Sequence, residues 1–236
     1  MSIRQVLRSL SVVTRSQSFL LSLGLGVIAL SAVAVSNTKT LKSIPDPVVK
    51  SSITASQGKQ VAVFAGGCFW GVEAVFEHIN GVANVVSGFS GGSSTTASYD
   101  KVSGGDTGHA EAVEVTYNPK QVSYGQLLKV FFAVAHDPTQ RDRQGPDWGR
   151  QYRSAIFFAN SDQKKVAESY IKQLNQKKVF PNPIVTQVSA LNAFYPAEKY
   201  HQNFIQHNPT YPYVVVHDLP KLEALRKQFP NFYRSN

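Results

Sequence analysis

Between Gln60 and Ile79 the apolar pattern changes its period, and that change limits what the chain can fold into. "QVAVFA" is a short apolar run bounded by glycine, which predicts a buried strand. After Gly66-Gly67, the residues Val72, Val75, Phe76 and Ile79 fall on one helical face with Glu73 and Glu77 opposite, and Asn80-Gly81 stops the helix. A strand that turns into a helix through two glycines places whatever follows them at a helix start. Here that residue is Cys68, the single cysteine of the 236-residue chain.

The same alternation continues. "VANVVSGF" and "HAEAVEVTYNP" read as strands, and Ser123 with Gln126 forms a capping box for "YGQLLKVFFAVA", stopped before Pro138. "SAIFFA" is a further strand, followed by a long helix capped by Ser161 and running through Lys178. "PIVTQVS" alternates as a fifth strand. "AEKYHQNFIQHN" and "PKLEALRKQF" are expected to be helical, the latter with Asp218 near its N-cap and Pro220 at its start. The expected class is α+β, a two-layer α/β sandwich with a mixed central sheet flanked by helices. Residues 89–108 and 137–153 show no period. They contain tyrosine, tryptophan and aspartate, which favours functional loops.

The first acidic residue is Asp46; before it come Arg4, Arg8, Arg15 and 17 uncharged residues from Phe19 to Val35. This pattern predicts an export leader over 1–35, with periplasmic or other extracytoplasmic placement. An uncleaved N-terminal membrane anchor is the second reading, and an organellar transit peptide the third. Residues 36–59, rich in Ser, Thr and Lys and broken by proline, are expected to be a flexible linker to a domain over 60–236. Losing the three leader arginines takes the formal charge from +9 to +6. The lysines are scattered and no basic-aromatic interleaving is present, so nucleic acid is not an expected partner. The histidines and the one cysteine show no metal-ligand spacing.

At a helix start a thiol is expected to ionise readily, because unpaired N–H groups and the positive dipole end favour an anion. The alternative is an ordinary buried thiol. Glu111 shares a face with Val113, Val115 and Tyr117 by the period of two, whereas Glu114 and Thr116 face the other way. A carboxyl on an apolar face is held protonated near neutrality and can act as an acid; the alternative is a glutamate at the rim of the sheet. Thiolate, acid and an aromatic wall suit attack on a sulfoxide, with the oxygen protonated and the methyl packed. Acyl transfer would also use a cysteine and an acid, and His109, two residues before Glu111, leaves a Cys–His hydrolase open.

"GCFWGVE", "GDTGHAE", "HDPTQ", "RQGPDWGRQYRS" and "FYPAEKYHQ" occur in this order, and together they closely resemble the peptide methionine sulfoxide reductases of the A type. The resemblance runs from about Val61 to about Asn208. It implies a ferredoxin-like sandwich and reduction of the S epimer of methionine sulfoxide, free or in proteins, as a repair of oxidised proteins. Cys68 matches the nucleophile and Glu111 the acid. Tyr99 and Tyr152 match the tyrosines that hydrogen-bond the sulfoxide oxygen, and Asp147 the aspartate that helps to position the substrate. Phe69 and Trp70 match the methyl pocket; Gly67 and His109 fall in the same motifs and are taken as neighbours of the substrate. Many family members carry further cysteines in a glycine-rich C-terminal tail. Here the tail has none, so the resemblance is to single-cysteine members with no bound cofactor, acting as a monomer. The oxidised cysteine then needs an external thiol: thioredoxin, glutaredoxin with glutathione, or dithiothreitol in vitro. A third reading is a non-catalytic module that binds oxidised or Met-rich segments.

Overall fold

The computed structural model describes residues 44–51 and 58–235. The expected leader over 1–35 lies outside them. Among the described residues, no helix is long and apolar enough to cross a membrane.

Strand β1 (Gln60–Gly66) leads into helix α1 (Phe69–Glu77) and then strand β2 (Val82–Ser90). Helix α2 (Tyr99–Val102) is a single turn, and strand β3 (Ala110–Tyr117) follows it. Helix α3 (Tyr124–Val130) opens with the expected Ser123–Gln126 capping box and runs on as a wider π-turn from Phe131 to Ala135. Strands β4 (Arg143–Gln144) and β5 (Asp147–Trp148) form a minimal hairpin ahead of β6 (Ser154–Phe158). Helix α4 (Ser161–Gln176), strands β7 (Gln187–Ala190) and β8 (Phe194–Pro196), and helices α5 (Phe204–His207) and α6 (Leu219–Gln228) complete the chain.

Six strands pair in the order β7-β6-β1-β3-β2-β8. The β6–β7 pair is parallel and the other pairs are antiparallel, so the sheet is mixed. The central four strands with α1 and α3 follow a β-α-β-β-α-β path, the ferredoxin-like arrangement. One sheet face carries Phe64, Val113, Val115 and Ile156 and packs against α1, α3, α4 and α6 in the main core. Phe64 stacks with Phe76 and Phe131, ring centroids 5.0 Å apart in both pairs. Each such pair adds roughly 0.5–1.5 kcal/mol beyond area burial. The other face holds a smaller cluster around Val63, Ala112 and Phe157.

Several expectations shift. Glu73, placed opposite the apolar face of α1, is buried: its carboxylate accepts the Asn203 N–H at 3.0 Å, under the C-terminal part of the chain. Asn160, not Ser161, caps α4, its side chain accepting the Gln163 N–H at 2.9 Å. The stretch expected as one helix over 197–208 breaks into a 3₁₀ turn at Lys199–His201 and the short α5, because Asn203 adopts a left-handed φ of 53°. Strand β8 was not legible in the sequence. It is three residues long and is defined by pairing with the β2 edge. Within the stretch expected as a linker, residues 45–48 lie against the domain. Gln173 donates to the Asp46 carbonyl at 2.8 Å and accepts the Val48 N–H at 3.0 Å, Tyr170 donates to the Pro45 carbonyl at 2.6 Å, and Lys129 pairs with Asp46 at 2.7 Å.

Candidate active site

Sheet register assembles the site. Phe64 pairs with Val113 and Phe89 with Glu111. Continuing the β1–β3 register brings Glu111 level with Gly66, two residues short of Cys68. On the other side of β1, Gly66 pairs with Ser154, which places Tyr152 at the same end of the sheet. Gly67 turns the chain with a left-handed φ of 91°, and a Cβ there would meet the Gln144 side chain at 2.5 Å. Gln144 is itself fixed: it accepts the Asp137 N–H and donates to the Asp137 carbonyl, both at 3.0 Å. The second aperiodic loop thus docks on the glycine turn, and its hairpin carries Asp147 to the cysteine.

Together these segments enclose a cavity of about 190 Å³. Cys68, Glu111 and Asp147 border it with Phe69, Trp70, Tyr99 and Tyr152, which brings together seven of the nine residues expected from the sequence. The C-terminal segment contributes two that were missed, Tyr211 and Tyr213. The phenol of Tyr213 donates to Asp147 Oδ2 in a short hydrogen bond. The aromatic density of "TYPYVVV" was the available signal, but nothing in the sequence says that this stretch folds back over Trp70. A larger cleft of about 580 Å³ lies at the other end of β3, around Tyr117 and Tyr124, away from this chemistry.

Gly67 and His109 do not border the cavity. Gly67 instead carries the turn into Cys68. The His109 ring is buried and occupied: Nδ1 accepts the Gly92 N–H at 3.2 Å and Nε2 lies 2.9 Å from the Ser93 carbonyl. Both ring nitrogens hold the 91–93 turn, so neither is available as a base toward Cys68. Trp148 also stands outside the cavity, exposed, with the Arg143 guanidinium 4.0 Å from its ring centroid.

The cysteine departs from expectation. Its side chain is buried, 8% exposed, and its thiol is raised well above the ordinary value. Burial is the main cause, followed by the Glu111 and Asp218 carboxyls; Lys221 and the Trp70 N–H act in the opposite direction. A helix start favours an anion when its first N–H groups are free and open to solvent. Instead the Phe69 N–H donates to Glu111 Oε2 at 3.0 Å, so the first donor of α1 serves the carboxyl. Burial thus favours the neutral form of the thiol.

Glu111 matches its expectation. It is 2% exposed, and burial raises its pKa to about 8, the Phe69 N–H opposing the shift and Asp147 adding to it. With Oε2 accepting that N–H, the acid proton belongs on Oε1. Burial, with Glu111 nearby, also pushes the Tyr99 phenol up to about 12 and raises that of Tyr152, so both remain hydrogen-bond donors.

Trp70 forms the aromatic wall. It stacks on Phe204 with centroids 3.7 Å apart and planes 6° from parallel, and meets Tyr211 and Tyr213 edge-on at 6.2 and 6.1 Å. Its indole N–H donates to His201 Nδ1 at 3.1 Å. His201 thereby orients this wall. Burial lowers the His201 pKa, in keeping with a neutral ring whose Nδ1 accepts.

Residues 60–233 match the family model described as "Peptide methionine sulfoxide reductase". Peptide methionine sulfoxide reductase MsrA 2 of Synechocystis sp. is 58% identical over 190 residues, covering 80% of this chain and 89% of that protein. The MsrA 2 protein of Mesorhizobium japonicum is 56% identical over 179 residues, covering 76% and 92%. Among solved structures, reduced Mxr1 of Saccharomyces cerevisiae matches with a TM-score of 0.60 at 32% identity, covering 72% of this chain and 94% of that one. Methionine sulfoxide reductase A of Corynebacterium diphtheriae gives 0.58 at 34% identity, covering 71% and 84%. The register, the cavity and these likenesses agree: the chain belongs to the peptide methionine sulfoxide reductase family.

Proposed function

We propose that this chain is a peptide-methionine (S)-S-oxide reductase that repairs oxidised methionine, free or in proteins, through a cysteine sulfenic acid. The observation that carries the reading is the lone cysteine and the buried Glu111 carboxyl bordering one cavity with an aromatic wall. The Cys68 sulfur attacks at the sulfoxide while Oε1 of Glu111 delivers its proton to the departing oxygen. The thiol proton replaces it on the carboxylate. A Cys68 S–O bond forms, the substrate S–O bond breaks, and methionine leaves with cysteine oxidised to the sulfenic acid. Tyr99 and Tyr152 are positioned to donate to the sulfoxide oxygen, and Asp147, held by Tyr213, orients the substrate. Phe69 and Trp70 pack the methyl group.

With one cysteine in the chain, the sulfenic acid must condense with an external thiol to a mixed disulfide and water. A second thiol then releases Cys68. The physiological donor is proposed to be of the thioredoxin type or glutathione with a glutaredoxin. The leader composition supports export or membrane attachment, and we take the chain to act as a monomer. The hydrolase alternative loses its base, since His109 is committed to the 91–93 turn.

Incubation with one equivalent of a methionine sulfoxide peptide, followed by intact-mass analysis with dimedone, tests the reading. A dimedone adduct on Cys68 is expected, or a glutathione adduct when glutathione is supplied first. Methionine release with neither adduct would end the sulfenate route, and binding without turnover would support the non-catalytic module.

Trp70→Ala is expected to weaken recognition of the methyl group. Burying one methyl is worth about 0.8 kcal/mol, and the emptied wall adds a cavity cost. Competition between methyl and bulkier alkyl sulfoxides should then show discrimination falling several-fold. Unchanged discrimination would place the methyl pocket elsewhere.

A further inference from the structure

The tail that lacks a second cysteine brings a charged pair to the nucleophile instead. Asp218 begins α6 fully buried, with Oδ1 3.0 Å from the Lys221 ammonium and Oδ2 without a hydrogen-bond partner. Both side chains press on Gly71 in the first turn of α1. A Cβ at that position would lie 2.2 Å from Asp218 Oδ1 and 2.6 Å from Lys221 Nζ, so only glycine leaves them room. Gly71 follows Cys68 by three residues, and residues three apart share a face of a helix. The pair therefore stands on the cysteine's side of α1.

We propose that Lys221 is a positioning residue for the Cys68 nucleophile, clamped by Asp218 onto Gly71 so that its ammonium offsets the negative charge that develops on sulfur. The proposal rests on the reductase reading above and adds the means by which a buried thiol is brought to ionise. The surroundings of the sulfur are otherwise acidic or phenolic: Glu111 from β3, Tyr99 from α2, Tyr152 ahead of β6, Tyr213 and Asp218. Asp147 faces Glu111, Tyr213 and Asp218. His217 faces Asp218, and the neutral, buried His136 faces Lys221. Against these the ammonium of Lys221 favours the thiolate, and the Asp218 carboxylate disfavours it.

The two members of the pair thus have opposite expected effects. Alkylation of Cys68 by iodoacetamide, followed between pH 7 and 10, reports the thiolate directly and involves no sulfoxide. It therefore separates a failure of this proposal from a failure of the reductase reading, which single-turnover reduction by the parent protein tests. Lys221→Met should slow alkylation at pH 8 by about tenfold, the usual scale for one nearby partly buried charge. Lys221→Arg should restore most of the rate, and Asp218→Asn, which keeps an acceptor for Lys221, should accelerate it several-fold. Thermal melts by circular dichroism identify any variant that fails to fold. An unchanged rate in folded Lys221→Met, an arginine variant as slow as the methionine variant, or slower alkylation in Asp218→Asn would each overturn the proposal.

Discussion

Cys68→Ser is expected to abolish sulfoxide reduction, by on the order of 10⁴–10⁶ in the chemical step, while the fold survives. The serine hydroxyl nearly matches the thiol in size, and the N-cap position of α1 tolerates an oxygen. What is lost is a polarisable sulfur that can ionise and then accept oxygen. The chain has no second sulfur to take over. Single-turnover assays with a methionine sulfoxide peptide check this, with circular dichroism as the control for folding. Reduction by the serine variant above a trace would assign the oxygen-accepting step to another residue.

Glu111→Gln is expected to lower the chemical step by about 10²–10⁴, the usual scale for a general acid. The amide can still accept the Phe69 N–H through its oxygen, so the start of α1 should be undisturbed. The pH profile gives the sharper test. A carboxyl with a pKa of about 8 is in its acid form below that pH, so the parent rate should decline above pH 8. The glutamine variant should lack that decline. An unchanged rate with the amide in place would reduce Glu111 to a structural residue.

The same group affects stability. Its folded pKa lies above the ordinary value of 4.5. The folded state therefore binds more protons than the unfolded chain between pH 4.5 and 8. The stability it contributes is full below about pH 4.5 and is lost as pH rises through about 8. The loss is of order 5 kcal/mol across that window, since each pKa unit corresponds to about 1.4 kcal/mol. Glu111→Gln should remove this contribution and melt higher than the parent at pH 9, by differential scanning calorimetry. Glu73, also raised to about 8 by burial, acts in the same direction.

Most of the longer local elements and their types were written in the sequence. Apolar period, the Gly66-Gly67 turn, the Ser123–Gln126 capping box and the faces of β3 depend on residues close together in the chain, where propensity and side-chain alternation act directly. Cys68 at a helix start and Glu111 on the apolar face followed from those patterns. The family resemblance carried by the five motifs implied Tyr99, Tyr152 and Asp147 as their companions. The tertiary structure decided everything that depends on what lies across a gap in sequence. The readily ionised thiol that the helix start predicts is opposed by burial, Glu111 and Asp218, which act on it through space and which a helix start seen in isolation does not carry. His109 shares a strand face with Glu111 in the pattern, yet its ring turns to the 91–93 loop. Tyr211 and Tyr213 reach the cavity, and Asp218 with Lys221 reach Gly71 of α1, from a segment more than 140 residues beyond Cys68. Short-range patterns fix which residues face inward, but desolvation and charge fall off with distance in space, and only the fold sets that distance.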